Sequence, residues 1–257
     1  MLALVTGASR GVGKGVAIGL SEAGFRVVAT GRTIAAADLP VQIVRLPCDH
    51  LDDRQTADVF AAIGAMEDPL GLLVNCVWGG YERMVENGAW TWPAPFWDQP
   101  MHRWQSMIDG GVRAAFVCAA HAARLMLPQR RGLIVNISFW AAQKRLGNTI
   151  YGISKAATDK MTSDMAEELR PFDIAAVSLY PGLVRTEAVL AAAAHGAFDL
   201  GNSESPQFIG RVVAALAGDP DLLGQSGKVL VAATLAAGYG IRDIDGRSPR
   251  PYTLADA

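Results

Sequence analysis

Cysteine is scarce in this sequence, with three in 257 residues, and an odd number leaves no even disulfide framework. Cys48, Cys76 and Cys118 form no C-x-x-C pair, and His50, His102, His121 and His195 show no H-x-x-x-H spacing. No metal site is therefore expected, and the cysteines read as reduced thiols. Charge is sparse as well: 23 basic and 25 acidic residues leave a net charge of −2. That balance excludes a bulk field favouring nucleic acid or anionic lipid. No apolar run approaches the roughly 18 residues of a membrane span. No basic leader precedes Met1–Val5, which runs straight into a glycine-rich turn. The chain is expected to start inside its fold and to reside in the cytoplasm, without nucleic-acid or membrane partners.

What is present is apolar and glycine-rich. Hydrophobic residues make up 51% of the chain and glycine accounts for 27 positions, which rules out a disordered polymer. The length suits one α/β domain spanning 1–257. Strand-length apolar runs occur at Leu2–Val5, Arg26–Thr30, Gln42–Leu46, Leu72–Asn75, Leu133–Ile137, Ala175–Leu179 and Lys228–Val231. Several are apolar throughout, as strands covered by helices on both faces must be. Helical spacing separates them, for example Val16, Leu20 and Ala23, or Met161, Met165 and Leu169 before Pro171. The alternation predicts a doubly wound parallel sheet of about seven strands, with helices on both faces and the ligand at the strands' carboxyl ends.

Two segments break this rhythm. Residues 78–104 hold five of the six tryptophans, Trp78, Trp90, Trp92, Trp97 and Trp104, among Pro93, Pro95 and Pro100. The other, about 185–206, is alanine-rich and ends in Asn202-Ser203-Glu204-Ser205-Pro206. Both follow strands on the ligand side and are candidate substrate-cleft walls, with Trp78, Trp92, Trp97 and Trp140 as lining candidates. Packing of a long loop or of a subunit interface is the competing explanation.

Thr6-Gly7-Ala8-Ser9-Arg10-Gly11-Val12-Gly13 follows the first strand and opens the first helix. Glycines there permit a tight turn and close approach of backbone to a phosphate, at the positive end of a helix dipole. The T-G-x-x-x-G-x-G spacing, Tyr151-Gly152-Ile153-Ser154-Lys155, and Pro181-Gly182-Leu183-Val184-Arg185-Thr186 together resemble the short-chain dehydrogenase/reductase family. The tail segments Ser226–Leu230 and Tyr239–Arg247 resemble those of one of its members. The resemblance covers the whole chain and implies a Rossmann-type fold. It also implies cofactor contacts from Gly7, Ser9, Arg10, Gly11, Val12, Gly13, Asn75, Pro181, Gly182, Val184 and Thr186, with Asp49 against the adenine.

Tyr151 and Lys155 share one helix face at i, i+4. A free phenol has a pKa of about 10, and a neighbouring ammonium favours its ionised form. Tyr151 is thus the expected acid for a carbonyl oxygen, or the base in the reverse direction. The resemblance further implies that Lys155 binds the nicotinamide ribose. Ser138 stands 13 residues before Tyr151 and is the candidate catalytic serine, although the second serine of the family's N-x-S-S pattern is Phe139 here. Two other departures concern N-N-A-G, which becomes Asn75-Cys76-Val77-Trp78-Gly79, and a helical asparagine, which aligns with Gly111. Asn75 is more readily a brace for the sheet than a substrate contact.

At the end of the second strand, Thr30-Gly31-Arg32-Thr33 lacks the carboxylate that would bond a ribose 2′-hydroxyl. Arg32, with Arg10, suits a 2′-phosphate instead, so NADP(H) is the expected cofactor. The expectation is an oxidoreductase exchanging hydride between NADP(H) and the carbonyl or secondary alcohol of an apolar small molecule. The resemblance implies a homodimer or homotetramer paired through the helices at about 101–127 and 151–170. A catalytically impaired nucleotide-binding sensor or scaffold of the same fold is the rival reading.

Overall fold

The computed structural model describes every residue except 82, 197 and 257. Seven strands form the central sheet: β1 (Leu2–Thr6), β2 (Arg26–Gly31), β3 (Val44–Pro47), β4 (Leu70–Asn75), β5 (Gly132–Ile137), β6 (Ile174–Tyr180) and β7 (Val229–Val231). Their spatial order is β7-β6-β5-β4-β1-β2-β3, and every pairing is parallel. Central strands are buried on both faces, which is why LALVT in β1 carries no polar alternation. The pleat still sorts the residues. Ala3 and Val5 face a core with Val16, Leu20, Phe208 and Val212, whereas Leu2 and Leu4 face Phe60, Ile63, Ala122 and Met126.

Helices α1 (Gly11–Glu22), α2 (Asp53–Gly64), α3 (Ala114–Met126), α4 (Thr149–Leu169), α5 (Glu187–Ala193), α6 (Pro206–Ala217) and α7 (Ala232–Tyr239) complete the layers. Helices α1 and α6 approach through glycine. A Cβ on Gly15 would lie 2.5 Å from the Pro206 carbonyl oxygen, and one on Gly19 would lie 2.9 Å from Gly210 Cα.

The predicted strands are all present, with shifted ends. β3 starts at Val44 rather than Gln42, whose amide is exposed and donates to Ser21 Oγ at 3.1 Å. The helix expected over 101–127 is interrupted. His102–Trp104 is α-helical, Gln105–Arg113 winds as a wider π-helix, and α3 follows. That widened stretch carries Gly110 and Gly111 and abuts the cleft, as π segments at functional sites often do. All three cysteines are free thiols, and Cys48 and Cys118 pack around the buried His50 ring. No helix of the described residues is long and apolar enough to cross a membrane.

The chain leaves β1 for β2 and β3, then crosses back to β4 on the other side of β1. The carboxyl ends of β1 and β4 therefore flank a crevice where the connections diverge, the ligand position of doubly wound sheets.

Candidate active site

The β1–α1 turn lies at this crevice. Gly7 has a φ of +65°, and a Cβ there would sit 2.8 Å from the Cys76 carbonyl carbon, so the turn packs backbone on backbone. A Cβ on Gly13 would meet the Gly7 carbonyl carbon at 2.8 Å, and Gly11 also has a positive φ, +59°. Helix α1 has no side-chain cap, so its first amides face outward. One of them has attracted an anion: Gly11 N–H donates to the Glu187 carboxylate at 2.9 Å. A carboxylate on that amide accords with the positive end of the α1 dipole, which favours anions. The Ser9 hydroxyl is buried without a hydrogen-bond partner among the described residues and faces Gly31 at the end of β2, where any side chain would collide with it. Exposed Arg10 and Arg32 flank this spot, and Val12 packs against the sheet core. The glycine turn and the orphan hydroxyl at the end of β2 fit a dinucleotide.

Helix α4 supplies the floor of the neighbouring cleft. Asn148 caps it, accepting the Tyr151 N–H at 2.9 Å, and so fixes which face carries the next turns. Tyr151 is 5% exposed and Lys155 8%. The Lys155 ammonium donates to the Ile137 carbonyl at 3.2 Å and lies 4.8 Å from the centre of the Trp78 ring, a cation–π contact. Burial pushes Lys155 down to about 8, partly opposed by Asp159. Burial pushes the Tyr151 phenol up, and the Tyr81 hydroxyl 3.4 Å away adds to this. The depression expected from Lys155 alone is therefore overridden by desolvation, and Tyr151 stands as a protonated donor.

The remaining predicted residues fall into three groups. Pro181, Gly182, Val184 and Thr186 line the cleft after β6. Thr186 caps α5 by accepting the Val189 N–H, and Leu183–Val184 pairs with Ser203–Glu204. Ser138, just after β5, donates its hydroxyl to the Lys155 carbonyl at 3.3 Å, and both Ser138 and Phe139 line the cleft. Asn75 braces the sheet: its amide donates to Asn136 Oδ1 at 2.8 Å and to the Ala115 carbonyl at 3.4 Å. Asp49 follows β3, and its carboxylate accepts the Leu51 N–H at 3.1 Å.

Between these elements opens a cleft of about 1030 Å³. Trp78, Tyr81, Met84 and Trp90 form one wall, and Val189, Ala192 and Phe198 another. The predicted tryptophans separate. Trp78 lines the cleft, while Trp92 is buried behind Tyr151 with ring centres 5.4 Å apart. Trp140 stacks edge-on to Tyr180 and donates to the Tyr252 carbonyl. Trp97 is not brought to the cleft; it is 72% exposed and pairs edge-to-face with Phe96. Prolines 93, 95 and 100 carry that part of the segment outward.

Tyr81 lies in the segment expected to wall the cleft but is not singled out by the sequence, and the tail residues Arg250, Tyr252 and Asp256, which also line the cleft, are not expected there. The aromatic density around Tyr81 was a usable signal; nothing in the tail sequence was. The tail is tied down by Asp243, which accepts from Arg185 at 2.8 Å and from the Ser205 backbone at 2.8 Å. It thereby fixes both ends of the 185–206 wall.

The two departures at Trp78 and Gly111 are one substitution in space. A Cβ on Gly111 would stand 2.8 Å from Trp78 Cδ1, and one on Gly80 would stand 2.7 Å from Cε2 of the same indole. The ring occupies the volume that an asparagine at 111 would need. Gly111→Asn is therefore expected to cost about 1–3 kcal/mol through overpacking. In a thermal melt the midpoint should fall by several degrees, with loss of the Trp78 fluorescence signature; an unshifted midpoint would show that the indole moves freely.

The short chain dehydrogenase family model matches residues 1–195. Dehydrogenase/reductase SDR family member 1 of mouse and of human are 36% and 35% identical to this chain, covering 97% of it and 85% of each relative. A crystal structure of a short-chain type dehydrogenase/reductase from Mycobacterium marinum superposes with a TM-score of 0.73 at 26% identity, covering 90% of this chain and 92% of that one. With the glycine cradle, the Tyr151–Lys155 pair and the sheet order already in place, these matches settle the kinship: the chain belongs to the short-chain dehydrogenase/reductase family.

Proposed function

We propose that this oxidoreductase is an NADPH-dependent carbonyl reductase for apolar, aromatic or polycyclic ketones, aldehydes or quinones. The observation that carries the reading is a buried Tyr151 with Lys155 one helical turn on, on the floor of an aromatic cleft that adjoins the glycine turn. Gly7, Gly11 and Gly13 would admit the pyrophosphate, and Arg10, Arg32 and the Ser9 hydroxyl would hold the 2′-phosphate. Asp49 would take the adenine, and Pro181, Gly182, Val184 and Thr186 the nicotinamide end. Bound there, NADPH supplies the hydride. Tyr151 gives its proton to the carbonyl oxygen, and the nearby Lys155 ammonium stabilises the phenolate that remains. Ser138 lines the same cleft and donates its hydroxyl to the Lys155 carbonyl, so it would help to position that lysine.

The test is NADPH oxidation at 340 nm with a panel of aromatic ketones, aldehydes and quinones, run in parallel with NADH. Turnover with NADPH at least tenfold faster than with NADH is expected. Tight NADPH binding with no turnover on any carbonyl would favour the sensor or scaffold reading instead.

Lys155 also gives a pH signature. Its ammonium is the form that would donate to the ribose hydroxyls, and it deprotonates near 8 in the cofactor-free protein. NADPH affinity should thus weaken as pH rises through about 8, by up to about tenfold at one unit above. Titration by nucleotide fluorescence at pH 7 and pH 9 checks this, and Lys155→Met should abolish the dependence.

Exposed Phe116 on α3 and Ile153 on α4 support pairing of subunits through these helices. Light scattering should therefore report a dimer or tetramer. Cytoplasmic residence completes the proposal and is checked by fractionation.

A further inference from the structure

A carbonyl oxygen that gathers negative charge as it accepts hydride needs more than one hydrogen-bond donor. The second serine of the family's N-x-S-S pattern is Phe139 here, and Ser138, although it lines the cleft, donates its hydroxyl to the Lys155 carbonyl. Beside the Tyr151 hydroxyl lies a different side-chain oxygen, that of Tyr81, at 3.4 Å. We infer that Tyr81 is the second donor to the substrate oxygen, taking the place that a serine holds in the usual pattern. The inference rests on the reductase reading given above.

The geometry supports it. Two hydroxyls 3.4 Å apart can both reach one oxygen at about 2.8 Å, a normal O–H···O length. Their mutual contact is long for such a bond, as catalytic contacts often are before substrate draws them in. Tyr81 is also held in place. Its ring meets Trp78 edge-to-face at 4.6 Å and lies 5.5 Å from Trp92, and both indoles contact Tyr151 at 5.4 Å. Although 55% of its surface is in solvent, its hydroxyl points inward to the acid. Burial of that hydroxyl keeps it protonated at neutral pH, so it can donate without titrating.

The step then balances. Hydride brings an electron pair to the carbonyl carbon, and the C=O π pair moves to oxygen. That oxygen takes the Tyr151 proton, while Tyr81 keeps its own and only donates a hydrogen bond. The products are an alcohol, oxidised nicotinamide and a Tyr151 phenolate, which recovers a proton from solvent.

The experiment compares wild type, Tyr81→Phe and Ser138→Ala with the best substrate of the carbonyl panel. Three measurements are made on each: steady-state kinetics, the Kd for NADPH from nucleotide fluorescence, and the thermal midpoint. Tyr81→Phe keeps the ring contacts, so Kd and midpoint should stay within twofold and within 2 °C of wild type, while kcat falls about 10²-fold, the usual scale for one oxyanion donor. Ser138→Ala should lose less kcat than Tyr81→Phe. Retention of kcat within threefold in Tyr81→Phe overturns the assignment, as does a larger loss in Ser138→Ala. A Tyr81→Phe protein whose midpoint and cofactor affinity fall with its turnover marks a structural brace and overturns it too. If wild type binds NADPH yet turns over no carbonyl, the reductase reading fails and takes this assignment with it; the other outcomes leave that reading standing.

Discussion

Tyr151→Phe is expected to lower kcat by about 10²–10⁴-fold, the span that a positioned general acid contributes. The substitution removes one oxygen and leaves the ring among Trp78, Tyr81 and Trp92, so stability should change little. The capping bond from its backbone N–H to Asn148 is also untouched. Cofactor affinity should hold, because the glycine cradle and Lys155 are unaltered. The signature is hence a loss of kcat at nearly constant NADPH Kd, read by steady-state kinetics beside fluorescence titration. Activity that survives the change would contradict the proposed acid. The effect exceeds that expected for Tyr81, since Tyr151 transfers a proton and Tyr81 only donates a hydrogen bond.

Gly15→Ala should be the most damaging single methyl in the molecule. The added carbon would lie 2.5 Å from the Pro206 carbonyl oxygen and closer still to its carbonyl carbon and its Cβ. No rotamer relieves such an overlap, so α1 and α6 must separate. Overpacking of a core usually costs about 1–3 kcal/mol. Rigid backbone on both sides places this case near the exceptional range of 4 kcal/mol or more. Urea unfolding should report a midpoint far below wild type, or no folded protein. Gly238→Ala is the matched control: a Cβ there meets nothing within 4 Å in α7, and the lost backbone freedom should raise stability by up to about 1 kcal/mol. Comparable losses in both variants would show that helix propensity, not helix contact, sets the outcome. Separation of α1 and α6 would also disturb Ser205, which joins α6 to Asp243 and the cleft wall, so any folded Gly15→Ala protein should bind NADPH more weakly.

Much of the architecture was readable before any coordinate. Strand-length apolar runs report burial on both faces directly, because each residue of β1 or β6 must be apolar or paired wherever helices cover both sides. Strand ends were less legible. At β3, on the sheet edge, exposure weakens the hydrophobic signal, and Gln42 was wrongly included. The π-helical turn over Gln105–Arg113 left no trace in the pattern, since a one-residue widening barely alters apolar spacing.

The site divides in the same way. Placements that depend on local backbone are legible in the sequence: Gly7, Gly11 and Gly13 in a turn, and Tyr151 with Lys155 one helical turn apart. The aromatic density of the 78–104 segment is plain in the sequence, yet its tryptophans cannot be sorted there. Trp78 and Trp97 look alike as letters; one stacks under an ammonium and the other stands in solvent.

By itself the sequence determined the parallel sheet, the glycine turn after β1 and the shared helix face of Tyr151 and Lys155, because each arises from contacts within a few residues or from a repeating pattern of burial. Only the tertiary structure decided that Ser138 turns to Lys155, that Tyr81 comes within 3.4 Å of Tyr151, and that Trp78 fills the space over Gly111. Those pairings join residues tens of positions apart through loops whose course is set by packing, so no local rule foretells them.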